Sequence, residues 1–472
     1  MYANTGSYNT GLGYQALRNN STGTENHAVG RFALYDNTTG IRNTAGGNST
    51  LENNTTGSNN TGFGYAVLFN ATTASGNTGI GYLAQQYTTT GGNNTTLGNT
   101  AGRNITTGSE NTMIGMQAGH NTTTGRFNTF VGRVAGYSNT TSDNNTALGW
   151  GAGYAFGSGT RNTALGRSAM ENGSGVTGND NVAVGQYSMN VLTSGVSNTC
   201  VGAYSGDAIT SGAYNTFMGQ NAGGALTSGN YNTDIGRIAM NDATTAGTCT
   251  AVGYGSQQRV TSASNNTSIG YISMNNATTG SNNVGLGHES LRYLTTGNDN
   301  VAAGLAAMED ATTGSGNVAI GRQALQNLTT CGSNSAIGYA AAGGANMTGT
   351  GYNVVIGDAA GYNLTSGHNN ILIGHNAGRT GSQGTDQSMG GVTTGDDQIH
   401  IGNESHTNAL VQVSWTVNSD GRDKTDVKDL DLGLDFIDSL RPVTYRWDKR
   451  SKYNGEERTG EHKEKQLEVG LI

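Results

Sequence analysis

Residues 418–429 read NSDGRDKTDVKD, and within them Ser419, Asp420 and Lys424 are the residues whose types and spacing could make or break a bond. Lys424 is the first lysine of the chain. A serine hydroxyl becomes a nucleophile when a base takes its proton, and a lysine can be that base where a dry site or a cationic neighbour such as Arg422 lowers its pKa. The Ser419 oxygen reaches the carbonyl before it through a five-membered ring, whereas attack on its own carbonyl needs a strained four-membered one. A cut after Ser419 would therefore call for help from Asp420 or from a neighbouring chain. A serine and a lysine this close in a charged loop are also ordinary solvated surface residues, so the residue types alone leave both readings open.

The placement of Lys424 marks a change of composition. Residues 1–418 hold 13 Arg, no Lys and 19 acidic residues, a net charge of −6; residues 419–472 hold 5 Arg, 6 Lys and 13 acidic residues, a net charge of −2. A sparsely charged part followed by a densely charged one is the pattern of two differently built domains. Pro442, the single proline, also lies in the second part.

The first part has 77 Gly in the whole chain's 472 residues to thank for a composition unlike that of packed helices. Its low hydrophobicity would suit disorder, but disorder keeps no register. Here the phrase Asn-Thr-x-aliphatic-Gly-x-x-Ala recurs every 17 residues from Asn9 through Asn26 and Asn43 to Asn162, steps by 19 to Asn181, runs on by 17 to Asn334, and steps by 19 again to Asn353 and Asn370. That makes 22 copies; the fifth position is Gly in all of them, and the first is Asn in all but the copy at Cys249.

One short apolar stretch per unit, set among Thr, Asn and Gly, fits a strand between turns and does not fit continuous helix. A unit of this size cannot bury a core alone, so successive units must stack. The expected fold is all-β, a parallel β-solenoid or β-roll of 17-residue repeats, with the fourth-position residues (Leu12, Val29, Ile80, Ile114, Leu165, Ile235, Ile320 and Ile373) forming one interior column. A glycine in every unit suits positive φ or close approach between coils. The small eighth position implies crowding, and the repeated Asn suits a ladder of side-chain amides from coil to coil.

Phrases such as NVAVGQYS, NVAIGRQA and NVVIGDAAG resemble the head repeats of trimeric autotransporter adhesins, over most of residues 9–378. That resemblance implies a homotrimer of β-rolls, which a coil with a thin core would also favour. The strand phrase returns once more in DDQIHIGNES at 396–405, after a Gly, Thr and Ser-rich stretch, and ALVQVSWTV at 409–417 alternates like a strand.

From Ser419 onward the sequence resembles the intramolecular chaperone, or self-processing, domain of endosialidase-type phage tailspikes and tail fibres. The matching residues are Ser419, Asp420, Arg422 and Lys424, then Leu434, Ile437, Leu440, Pro442, Val443, Tyr445 and Trp447, and the closing VGLI. The resemblance implies a small α+β domain that aligns three chains and is then released at the Ser-Asp junction, with Ser419 as nucleophile and Lys424 as its base. The expected organisation is a solenoid shaft over 1–379, a connector over 380–418, and the N-terminal part of the chaperone domain over 419–472. Both ends read as lying inside larger units: NTGSY at 4–8 is the tail of an earlier repeat, and the family's domain runs on beyond Ile472.

Other chemistry finds little support. Cys200, Cys249 and Cys331 share no column and form no metal or disulfide motif, and His400 reads as an exposed strand residue. No Gly-Lys-Ser/Thr follows any glycine-rich fragment, so neither a cofactor nor a metal is expected. A lysine-free, net-acidic coil lacks the basic surface that nucleic acid needs, and no apolar run is long enough to insert in a membrane. Three functions fit. The favoured one is a phage tail fibre or tailspike shaft on the virion, outside the cell, partnered by two copies of itself and by a host cell-surface receptor, with a glycan among the candidates. The second is a bacterial trimeric surface adhesin. The third is an ice-binding solenoid using the Thr-Thr-Gly threonines Thr38, Thr55, Thr72, Thr89 and Thr106 as a flat ladder.

Overall fold

The computed structural model describes residues 4–344, 346–348, 351–378 and 396–403, together with two strands at Pro442–Tyr445 and Glu468–Leu471. The chain divides into two compact units, residues 1–407 and 408–472. In the first, 23 strands from β1 (Thr10–Leu12) to β23 (Ile399–Ile401) form one sheet, each strand pairing in parallel with the next along the chain. No helix occurs among the described residues. Each repeat supplies one strand: Thr10 pairs with His27, Ala147 with Ala164, Val318 with Ser335. The two 19-residue steps keep this register, with Thr163 opposite Val182 and Ser335 opposite Val354, so the extra residues loop out and the stack continues. At roughly 4.8 Å per strand, 22 steps make a coil about 105 Å long.

The asparagine column is the inner spine of this stack. The Oδ1 of Asn26 accepts the backbone N–H of Asn43 at 3.0 Å, and Asn43 passes the same bond to Asn60. The Nδ2 of Asn43 donates to the carbonyl of Gly57 across its own coil, 2.8 Å away. These amides are fully buried, and the relay crosses both 19-residue steps, from Asn162 to Asn181 and from Asn334 to Asn353. A second, shorter ladder joins Asn20, Asn37 and Asn54. The fifth-position glycines explain themselves in the same frame. Gly149 has φ +137°, and a Cβ there would stand 2.6 Å from the carbonyl oxygen of Gly166 in the next coil, so both backbone conformation and space demand glycine.

The fourth-position column is not the interior. Leu12, Val29, Ile80, Leu165, Ile235, Ile320 and Ile373 are all exposed, and Ile114 is half-buried; the buried residue of each strand from β2 (His27–Val29) to β22 (Ile371–Ile373) is the third. The reason is the narrow lumen. It is filled by the first-position amides, by Ala at the third and eighth positions, and by the ninth and twelfth positions, for instance Leu34 and Leu192. Volumes compensate across it. Where the third position is bulky, as at Phe130 and Phe217, the ninth is glycine, and a Cβ on Gly136 or Gly223 would run into those rings. Where the third is alanine, as at Ala28 and Ala164, the ninth is Leu34 or Met170. Alternation along a strand then sends the second and fourth residues outward.

One residue breaks the pattern of the lumen. Asp234 holds a third position between Phe217 and Ala251, is fully buried, and neither carboxylate oxygen has a hydrogen-bond partner. Desolvation pushes its carboxyl well above the usual carboxylate range. In the next coil Cys249 accepts the N–H relay's place: its own N–H donates to Asn232 Oδ1 at 3.0 Å, but it has no amide to pass on. Burial pushes the Cys249 thiol up to about 11. Above the unfolded carboxyl's pKa of about 4 the folded chain binds the extra proton on Asp234, so this residue's contribution to stability falls as pH rises toward its folded pKa. Asp234→Ala should accordingly stabilise the coil by about 1–3 kcal/mol at pH 7 and by less at pH 4. Thermal unfolding at the two pH values measures this, and a difference that does not shrink at low pH contradicts the assignment.

Candidate functional site

The outward residues of the strands form the most unusual surface of the coil. Reading up the fourth position gives Leu12, Val29, Gly46, Phe63, Ile80, Leu97, and so on to Ile373 and Ile401, with no charged or hydrogen-bonding side chain in 23 strands. Val29 is 48% exposed, Leu148 46% and Ile320 43%, which leaves a long apolar stripe in water, interrupted at Gly46. The neighbouring second position is mainly threonine, from Thr44 to Thr163 without interruption, and its hydroxyls make no hydrogen bond within the chain among the described residues. Its one titratable residue is His27. The stripe exposes on the order of 1,000 Å² of apolar surface, more than the few hundred Å² of contiguous patch usual on monomers.

Charges and aromatic rings lie to either side of it. On the sixth-position column Arg167 stands over Trp150, Arg237 over Tyr254 and Arg322 over Tyr339, while Tyr254, Tyr271 and His288 stack at 5.0–5.4 Å. On the seventeenth-position column Arg42 pairs with Glu25 at 3.1 Å and Arg161 with Asp180 at 2.6 Å. The Asp180 carboxylate is held below its ordinary range by its hydrogen bond from Arg161. Arg, Tyr and Trp are residue types enriched at protein–protein contacts in general.

The Thr-Thr-Gly ladder exists, but it is not a surface of free hydroxyls. The Oγ1 of Thr38 donates to the Thr55 carbonyl at 2.9 Å, Thr55 does the same to Thr72, and Thr106 to Thr123. These threonines staple coil to coil, so their own hydroxyl protons are already used within the chain. Among the described residues, surface hollows open beside the 19-residue coils; one, about 360 Å³, is lined by Tyr154, Glu171, Asn172 and Asn190. Among the described residues Cys200, Cys249 and Cys331 are free and buried, and no group of His, Cys, Asp and Glu could hold a metal ion. No helix there is long and apolar enough to cross a membrane. His400 stands mid-strand in β23, half-buried, with its ring against Gln398.

Ser419, Asp420, Arg422 and Lys424 lie outside the described residues. Within the segment that follows them, Pro442–Tyr445 (β24) and Glu468–Leu471 (β25) pair antiparallel, Val443 opposite Gly470. Residues 419–472 match the family model described as chaperone of endosialidase. The match opens at Ser419, the residue singled out by its chemistry. No curated protein matches the chain, and no solved structure does. A solenoid shaft followed by this chaperone segment is consistent with a fibre-like structural protein.

Sequence reasoning placed the aliphatic column on the wrong side of the strand and so missed the stripe. The signal that finds it is the third position, which takes Gly, Ala, Ser or Cys in most units and is therefore the crowded, inward one. The assignment is checked by a pair of neighbours. Ala147→Lys, which forces a charge into the lumen, should disrupt the β-coil circular dichroism signal, while Leu148→Lys, on the outer face, should leave that signal in place. The reverse ranking would return the fourth position to the interior.

Proposed function

We propose that this chain is the shaft of a homotrimeric phage tail fibre or tailspike, carried on the virion outside the cell, that attaches it to a host cell-surface receptor, with the C-terminal segment acting as a trimerisation chaperone released by self-cleavage at Ser419. One observation supports the reading: a coil with a long uncharged apolar stripe is followed in the sequence by a segment that matches the chaperone of endosialidase. A chaperone in the same chain supports assembly between identical copies, because each copy brings its own. Three is the number that the likeness to trimeric adhesin heads and to tailspikes suggests. Ser419 would supply the nucleophile and Lys424 the base, with Asp420 on the other side of the cut bond.

A bacterial trimeric surface adhesin is the second reading, favoured by strand phrases such as Val182–Val184 within NVAVGQYS. Gene neighbours separate the two, since tail and baseplate genes would accompany only the first. The assembly and the cleavage are measured on the whole gene product. Native mass should give three chains, and gel analysis should give a shaft of about 418 residues and a released tail. Ser419→Ala should stay whole, and Lys424→Ala should slow the cut by roughly several orders of magnitude if nucleophile and base act as a unit. Unchanged cleavage in Ser419→Ala would remove the proposed nucleophile.

A further inference from the structure

The stripe is not uniform along the coil. From β2 to the strand Thr267–Ile269 its second position is a threonine in nearly every strand, with His27 and Val182 as exceptions. From the strand Val284–Leu286 onward it is Val284, Val301, Val318, Ser335, Val354, Ile371 and Ile399. The fourth position stays uncharged and apolar throughout, so the apolar band is one column wide over most of the earlier strands and two columns wide over six of the last seven, Ser335 being the exception. Register is kept across the change: Thr267 lies opposite Val284, and Val284 opposite Val301. The column stays partly open to solvent as well: Val284, Val301 and Val318 are half-buried, and Val354 and Ile371 are 36% and 37% exposed.

Threonine and valine have nearly the same shape, so this switch leaves the coil's own packing untouched and alters only what a covering partner would meet. Burying an unpartnered hydroxyl opposes contact, whereas burying a methyl favours it. What covers the band is settled by its length. Its residues repeat at one strand spacing over some twenty coils, and only a surface with the same axial period can stay in register with all of them. A second copy of this chain, parallel and side by side, has that period. A globular partner would match a few coils and leave the rest wet.

We infer that self-association is graded along the coil: copies of this chain are held most tightly over the strands from Val284–Leu286 to Ile399–Ile401 and more weakly over the threonine-bearing strands before them. This rests on the self-assembling reading of the fibre and adds where its strength lies. The tightly held end is the one that precedes the chaperone segment in the sequence, so the last seven strands join first and the earlier ones close onto a register already set. The earlier strands are then the part of the fibre whose chains can separate without dissociation.

The test uses the full chain and two matched triple variants, Ile320→Thr, Ile337→Thr and Ile356→Thr against Ile80→Thr, Ile114→Thr and Ile235→Thr, with circular dichroism confirming that the coil persists. Dissociation is followed by sedimentation across a dilution series. The later triple should weaken association by about ten-fold or more beyond the earlier triple. Equal effects, or a larger effect of the earlier triple, overturn the gradient while leaving self-assembly standing. A wild-type chain that is monomeric at every concentration overturns both. A measurement on the unaltered chain is independent of folding in the variants: hydroxyl-radical labelling near the dissociation midpoint should spare Ile320, Ile337 and Ile356 while modifying Ile80, Ile114 and Ile235. Uniform labelling of the six would again overturn the gradient.

Discussion

With the single exception of the coil at Cys249, each coil from Asn9 to Asn353 is tied to the next by an asparagine whose side-chain oxygen takes the backbone N–H of the first-position residue one coil on. The bond sits in the lumen, away from water, where a backbone N–H left without a partner costs about 1–3 kcal/mol. It therefore acts as a register lock. A slip by one residue would turn the asparagines outward, orphan the buried donors and push each fifth-position glycine away from the carbonyl it lies beside. The two 19-residue coils show the constraint at work, since their extra residues are expelled to the surface while the relay from Asn162 to Asn181 and from Asn334 to Asn353 continues.

The lock also decides where the bulky residues go. Seventeen residues enclose a small cross-section, and tight corners are needed to close it: left-handed backbone recurs at the seventh, ninth and seventeenth positions, as at Phe32, Leu34 and Arg42. Amides, alanines and one or two larger side chains fill what remains. The aliphatic residues of the fourth position face out, and among the described residues the fold is left with an exposed apolar stripe. The exposed stripe is thus a consequence of how the interior is built.

Much of this was legible in the residues. The period, the one-strand unit, the glycine that must stay a glycine and the asparagine ladder all follow from columns that repeat too strictly for loops. The side of the strand did not follow, because alternation allows either Ala164 or Leu165 to face the core, and hydrophobicity points to the wrong one. Only the lumen's size separates them, and that is a property of the closed coil. Thr38 and its successors misled in the opposite way: their ladder is real, but the carbonyls that take up their hydroxyls belong to the next coil and cannot be seen in one repeat. The Ser419 and Lys424 chemistry was legible only as a motif, whose segment the family match supports as a chaperone without locating its side chains.

The central claim is that the first-position asparagine holds the stack, and residue-resolved amide hydrogen exchange of the native chain tests it most directly. The N–H groups of Asn43, Asn60, Asn111 and Asn300, each received by the previous asparagine at 3.0 Å, should be among the slowest to exchange, opening only with global unfolding. The N–H of Asn266, which follows Cys249 and has no Oδ1 below it, should exchange faster than they do. If the first-position amides exchange at the rate of unprotected ones, the ladder does not carry the coil.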